Sequence, residues 1–356
     1  VFMRFNRICR GVENKLRDYL GLAEDPDPNI SSREMDTVRS LEDLLLHYQI
    51  DTRCIHIKAG LLSKAEDLPD GSYYDDFGIR WRKASYYYDA IERPLANAAL
   101  GDLDKAKWPE IYDRSKVAGL GAEARKMYQE TDYCLVADIP GLGPFEGACF
   151  VRGHDNVCMD LYTNVKFIES LFEKMTDTII AFWDLFLDEV GEYVQVVAQG
   201  DDVGMQTSPF ISPELYRRYI KPHHKRIFDF IHSKTDAKIF YHSCGSVYDL
   251  IPDFIEEGVD ILNPIQRSAA KMDIKRLKKE FGDDICFWGG GIDIQQQLPF
   301  YTLEQIEDEV KGTIDILAPG GGFVFFPSHN IQADVSPDRI DCMYKSVLKY
   351  RVSCAK

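Results

Sequence analysis

Lys238-Ile239-Phe240-Tyr241-His242-Ser243-Cys244-Gly245-Ser246 reads as a short β-strand running into a glycine turn. Side chains alternate between the two faces of a strand, so His242 and Cys244, two residues apart, face the same way. An imidazole beside a thiol at a strand end is a metal-grade pair. A buried cysteine acting as a small hydrophobe next to a structural histidine is the plainer reading of the same residues. The flanking sequence has to separate the two.

Outward from this stretch the pattern is regular. Val194 to Ala198 is a strand ending in Gly200-Asp201-Asp202, and Ser212-Pro213 opens a helix by capping and by proline at its first position. Val247, Leu250, Ile251, Phe254 and Ile255 have helical spacing, and Gly258 ends that helix. Val259 to Pro264 is a strand, Ile274 to Phe281 a helix, and Ile285 to Trp288 a strand before Gly289–Gly291. Thr302 and Gln305 form a capping box ahead of Ile306, Val310, Ile314 and Leu317. Gly322 to Phe326 is the last strand, and Ser336-Pro337 begins a final helix. Upstream, Arg53 to Ile57 and Tyr133 to Ile139 read as strands, the second closed by Pro140, Gly141 and Gly143, with a long helix over Asn164 to Val190. Nearly continuous apolar strands alternating with helices predict a parallel sheet covered on its outer side. Seven strands are evident and the eighth is placed in Phe145–Arg152, which gives a (β/α)₈ TIM barrel of the α/β class.

Residues 1–356 are read as a single barrel domain. Residues 1–50 form a helical N-terminal extension, with a loop at Glu24–Asn29 and a helix carrying Val38, Leu41, Leu44 and Leu45. Residues 71–91, with Tyr73, Tyr74, Trp81, Tyr86, Tyr87 and Tyr88, are read as a β-hairpin excursion that either walls a pocket or simply packs. Hydrophobic residues make up 45% and charged residues 28%, an ordinary globular composition. A net charge of −16 with no dense basic block argues against nucleic acid. No apolar run approaches the ~18–20 residues that span a bilayer, so no membrane role is expected. Val1–Arg7 lacks the apolar core of a signal peptide, and nine scattered cysteines without a Cys-x-x-Cys fit a reducing compartment; the expected location is cytoplasmic.

In a barrel of this kind functional residues sit where strands end. Those positions hold Asp201 and Asp202, His242 and Cys244, Asn263 and Gln266, Asp293, and His329 with Asn330. Turns and caps account for Asn263, Asp201 and Gly289–Gly291, but turns do not select imidazole or thiol. Catalytic zinc takes three protein ligands and leaves a position open, a set that His242, Cys244 and His329 could supply. No Lys-Ser/Thr follows the glycine triplet, which discounts a nucleotide site.

Asp201 to Gln206, Phe240 to Gly245, Asp260 to Gln266 and His329 to Gln332 resemble the uroporphyrinogen decarboxylase superfamily, most clearly over about Tyr133–Tyr350. Within it the chain looks more like the cobalamin-dependent methyltransferases. That resemblance implies a (β/α)₈ barrel that binds Zn2+ and moves a methyl group to or from the cobalt of a corrinoid (methylcobalamin), carried by a partner corrinoid protein. The methyltransferases' His-x-Cys motif is present as His242-x-Cys244, whereas His329 stands where they usually place a second cysteine. The decarboxylase pattern has an arginine-rich N-terminal loop and an aspartate ending an early strand. Here Cys54-Ile55-His56-Ile57-Lys58-Ala59-Gly60 ends without one, and no matching arginine loop is evident.

The implied metal ligands are therefore His242, Cys244 and His329. Asp202, Gln206 and Asn263 are the catalytic candidates, and Glu146, Gln266, Asp293 and Asn330 the substrate-binding ones. One thiolate instead of two leaves the zinc more positive, which suits a small O- or N-methyl substrate. A tetrapyrrole decarboxylase and a non-catalytic barrel binding a corrinoid or small molecule stand as alternatives.

Overall fold

The computed structural model describes residues 1–4, 8–23, 30–32, 37–38, 42–57, 67–85, 87–111, 113–138 and 143–351. The expected loop at Glu24–Asn29, the segment Lys58–Gly60 and the turn at Pro140 and Gly141 lie outside the described residues, as do Leu41 and Tyr86.

Eight parallel strands form one sheet: β1 (Phe2–Met3), β2 (Thr52–His56), β3 (Cys134–Asp138), β4 (Val196–Gly200), β5 (Lys238–His242), β6 (Ile261–Asn263), β7 (Cys286–Trp288) and β8 (Phe323–Phe325). Each pairs with the next from β2 to β8, and β1 returns against β8 in the register Phe2–Val324 and Met3–Phe325. The remaining seam, between β1 and β2, is bridged by Asp51. Its backbone N–H donates to the Met3 carbonyl at 3.1 Å, and its carboxylate accepts the Met3 N–H at 2.7 Å.

Strand alternation sorts the side chains into two cores. Val136, Val196, Ala198, Phe240, Ile261 and Trp288 fill the lumen, while Leu135, Ala137, Val197, Ile239, Tyr241, Leu262 and Phe287 belong to the layer beneath the helices. Continuing the lumen period by two places His56, Asp138, His242 and Asn263 at the mouth, each the final residue of its strand. The site is thus a consequence of the pleat. The helix Val165–Val190 buries Phe167, Leu171, Met175, Ile179, Phe182 and Trp183, close to the expected range and face.

Two expectations need correction. The eighth strand is Phe2–Met3, and Phe145–Arg152 lies in a helix, Pro144–Arg152. A short apolar run does not distinguish a buried strand from a buried helix. Pro144, preset for the first helical turn, and Asp201, whose carboxylate accepts the N–H groups of Phe145 (3.0 Å) and Glu146 (2.6 Å), decide for helix. Gly143 is required there, because a Cβ would stand 2.0 Å from that of Asp201.

Nor are the first fifty residues helical throughout. Helices Arg10–Leu20 and Glu42–His47 are joined by an antiparallel sheet of Ile8–Cys9, Thr37–Val38 and Ile30–Ser32, which removes Val38 from the expected helix. The aromatic excursion is antiparallel, as expected, but has three strands: Tyr73–Tyr74, Arg80–Lys83 and Tyr88–Glu92. Among the described residues no helix is long and apolar enough to cross a membrane.

Trp183 is fully buried, and its Nε1–H donates to Gln199 Oε1 at 2.7 Å, tying the covering helix to β4. Trp183→Ala should lower the free energy of unfolding in urea by about 3–5 kcal/mol. A loss under about 1 kcal/mol would contradict this packing.

Candidate metal centre

The residues at the ends of β5 and β8 converge. One ligand atom each from His242, Cys244 and His329 lie within 4.8 Å of one another. His242 Nε2 and Cys244 Sγ are 3.4 Å apart, against about 3.5 Å for two ligands on a tetrahedral zinc ion. The imidazole is already oriented. Asn263 Nδ2 donates to the Trp288 carbonyl at 2.7 Å, so its Oδ1 faces His242 Nδ1 at 2.6 Å and must accept from it. With its hydrogen on Nδ1, His242 presents a bare Nε2 lone pair to the centre, the tautomer a metal ligand needs.

The Cys244 loop is fastened on three sides. The Cys244 N–H donates to Asp202 Oδ1 at 2.8 Å and the Gly245 N–H to Gln266 Oε1 at 2.8 Å. Gln266 Nε2 donates to Gln206 Oε1 at 3.0 Å, and Gln206 Nε2 donates to the Ser268 carbonyl at 2.5 Å. Gln206 and Gln266 therefore spend their amides bracing the loop that carries Cys244. Gly245, at φ 88°, packs against the Gly204 and Met205 backbone, leaving no room for a side chain.

Carboxyl groups surround the thiol. Burial, with the charges of Asp202 and Glu146, pushes the Cys244 thiol well up. Burial and the carboxylates of Asp202 and Asp201 likewise hold Glu146 well above the usual carboxylate range. This concentration of negative charge beside one thiol and two imidazoles fits a divalent cation. Asn330 is buried next to His329 in sequence. Asp293 turns its Oδ1 to the N–H groups of Gln295 (2.8 Å) and Gln296 (2.7 Å), a capping role in the loop after β7.

A second triad occupies the mouth across the lumen: Cys54, His56 and Asp138, again with ligand atoms within 4.8 Å. Cys54-x-His56 is the inverse of His242-x-Cys244, a signal present in the sequence. Here a cation is already in place. Arg4, directly after β1, donates to Asp138 Oδ2 at 2.9 Å, lies 3.7 Å from Cys54 Sγ, and stacks over Phe240 (5.1 Å) and Trp288 (5.2 Å). The guanidinium brings the positive charge that a metal would. No arginine loop is evident in the sequence, yet this arginine reaches the lumen, because β1 is too short for periodicity to reveal.

Behind the centre is a buried network that strand periodicity does not single out. His224 Nε2 meets Asp201 Oδ2 at 2.7 Å, and its Nδ1 lies 2.9 Å from the Tyr216 hydroxyl and 3.5 Å from Glu257. Burial alone would lower the His224 pKa, but hydrogen bonds and charge from Asp201 and Glu257 outweigh it and raise it from 6.5 to about 9. Because the folded value is the higher one, the stabilisation is fully present below pH 6.5 and is lost as pH rises through about 9. Unfolding measured across this window should show a fall on the order of 3 kcal/mol that His224→Gln abolishes. A wild-type profile that stays flat would contradict a charged His224.

Residues 141–350, more than half of the chain, match the family model described as uroporphyrinogen decarboxylase (URO-D). The chain is 23% identical over 259 residues to a methylated-thiol–coenzyme M methyltransferase of Methanosarcina mazei, covering 70% of this chain and 65% of that protein. It is 24% identical over 230 residues to a uroporphyrinogen decarboxylase of Bacillus cereus, covering 60% of this chain and 59% of that protein. It thus spans under two thirds of the length of either relative. A solved methyltransferase from Methanosarcina mazei superposes over 97% of this chain and 94% of its own, with a TM-score of 0.63 at 14% identity, and so shares the fold. With its eight-stranded parallel barrel and polar mouth, the chain belongs to the uroporphyrinogen decarboxylase (URO-D) family.

Proposed function

We propose that this chain is a zinc-dependent methyltransferase that moves a methyl group between a small O- or N-methyl substrate and the cobalt of a corrinoid carried by a partner protein. The observation that carries the reading is the His242–Cys244–His329 cluster, with the His242 tautomer set by Asn263. The similarity to a methylated-thiol–coenzyme M methyltransferase supports the reaction class. His242, Cys244 and His329 would hold the metal, and bound zinc would supply a Lewis acid that polarises the leaving heteroatom.

The chain's own groups have separable tasks in this reading. Asn263 keeps the hydrogen on His242 Nδ1. Asp202 fixes the Cys244 backbone and sets a negative field that favours a cation. Burial and the carboxylates of Asp202 and Asp201 raise the Glu146 carboxyl, which suits it to donating a proton to the heteroatom that leaves the methyl carbon. His329 in place of a second thiol makes the centre more electrophilic, which favours oxygen or nitrogen leaving groups over the thiol chemistry in the relative's name.

Purified protein should carry close to one zinc per chain and transfer methyl groups to cob(I)alamin from O- or N-methyl donors. Cys244→Ala should lose both metal and transfer. Zinc-free wild type with unaltered Cys244→Ala activity would sink the reading. Asn263→Ala, which leaves the ligands in place but frees the tautomer, should weaken zinc affinity by about 10–100-fold in a competitive chelator titration. Unchanged affinity would remove Asn263 from the role given to it.

A further inference from the structure

The second triad in the mouth is built more rigidly than the first. Cys54 and His56 are two residues apart on β2 and share its lumen face, where Cys54 packs against the lumen residues. His56 and Asp138 are cross-strand partners in the register of β2 and β3, each at the end of its strand. All three side chains therefore stand on paired strands, whereas Cys244 and His329 lie beyond the ends of theirs. Thiol, imidazole and carboxylate, with ligand atoms within 4.8 Å of one another, are a donor set for a zinc-like divalent cation.

Arg4 stands at this set with a single nitrogen. Nη2 lies 2.9 Å from Asp138 Oδ2 and 3.7 Å from Cys54 Sγ, and the side chains of Arg4 and Asp138 are each only 5% exposed. The arginine is held from several directions. Its backbone N–H donates to the Phe325 carbonyl at 3.1 Å, its carbonyl accepts the Tyr344 hydroxyl at 3.3 Å, and its guanidinium lies over the rings of Phe240 and Trp288. An ion bonded to Asp138 Oδ2 at about 2.1 Å would lie no further than about 5 Å from Nη2. A dication that close to a buried guanidinium is strongly repelled, because little water screens the two charges.

The geometry points to Cys54, His56 and Asp138 as a second, latent site for a zinc-like divalent cation, held closed by the guanidinium of Arg4. The tethered charge neutralises Asp138 and keeps metal out of this side of the mouth. Arg4 thereby restricts metal to the side where His242, Cys244 and His329 converge. None of the residues of the latent site belongs to the proposed zinc centre, and a metal gained relative to wild type reports on them whether or not that centre is loaded.

Removing the charge of Arg4 should open the site. Arg4→Met keeps an unbranched apolar stem to pack on Phe240 and Trp288, and Arg4→Gln keeps a hydrogen-bond donor for Asp138; circular dichroism shows which variants are folded. After equilibrium dialysis against zinc, a folded Arg4 variant should hold one more ion per chain than wild type. Adding Cys54→Ser should return the count to the wild-type value. In a Cys244→Ala background the same Arg4 substitution should still add one ion. With cobalt(II) the gain should appear as an added thiolate-to-metal absorption band that Cys54→Ser removes. A folded Arg4 variant that binds no more metal than wild type, or a gain that survives Cys54→Ser, overturns the latent site. The wild-type background needs no Arg4 variant: Cys54→Ser alone should leave its metal content unchanged, and a loss of one ion would place metal at the triad already and overturn its closure by Arg4.

Discussion

Closure of the parallel sheet is the constraint on which the mouth depends. Met3 and Phe325 pair as neighbours, and Asp51 ties Met3 to the start of β2 by two hydrogen bonds. With eight strands brought round, the lumen face of every strand ends in the same ring. That places His242 of β5 against His329, which follows β8, with ring centroids 6.1 Å apart. An open sheet would leave those two strand ends at different distances along one edge. The candidate site is a property of the closed barrel rather than of the His-x-Cys motif alone.

Two triads of similar composition lie in this ring, and electrostatics separates them. Cys54, His56 and Asp138 already face a guanidinium, which makes an ion pair with Asp138 and lies over two aromatic rings. His242, Cys244 and His329 instead lie among Asp202 and Glu146, with no arginine or lysine forming an ion pair with either carboxylate among the described residues. A low-dielectric mouth magnifies such differences. The buried Asp201–His224–Glu257 system sits behind the His242–Cys244–His329 cluster and holds Asp201 where it caps the helix that presents Glu146. Fold and charge are thus built from the same residues.

Much of this was legible in the sequence because parallel strands and their helices have strong periodicity. β2 to β8, the long helix before β4 and the helices after it follow from apolar runs punctuated by Gly, Pro and capping residues. Strand alternation points His242 into the lumen, but Cys244 lies beyond the end of β5, and the hydrogen bonds of its loop to Asp202 and Gln266 hold it beside the imidazole. What escaped has physical reasons. Phe2–Met3 is too short to carry a period, so its strand was sought in Phe145–Arg152, and Arg4 went unnoticed with it. The His224 network joins residues far apart along the chain through side chains only. Gln206 and Gln266 look like site residues at a strand end, yet their amides are consumed in holding the Cys244 loop. Side-chain direction of this kind is set by tertiary packing, which periodicity does not encode.

In the proposed zinc centre, His329 is the residue on which the chemistry turns. A cysteine there would give a two-thiolate centre suited to activating thiols, while an imidazole gives a more electrophilic one. X-ray absorption at the zinc edge of the purified protein reads this directly. One sulfur at about 2.3 Å with two imidazole nitrogens at about 2.0–2.1 Å, reduced to no sulfur in any metal retained by Cys244→Ala, is the expected result. A shell with two or more sulfurs, or a zinc signal unaffected by loss of both His242 and Cys244, would contradict it.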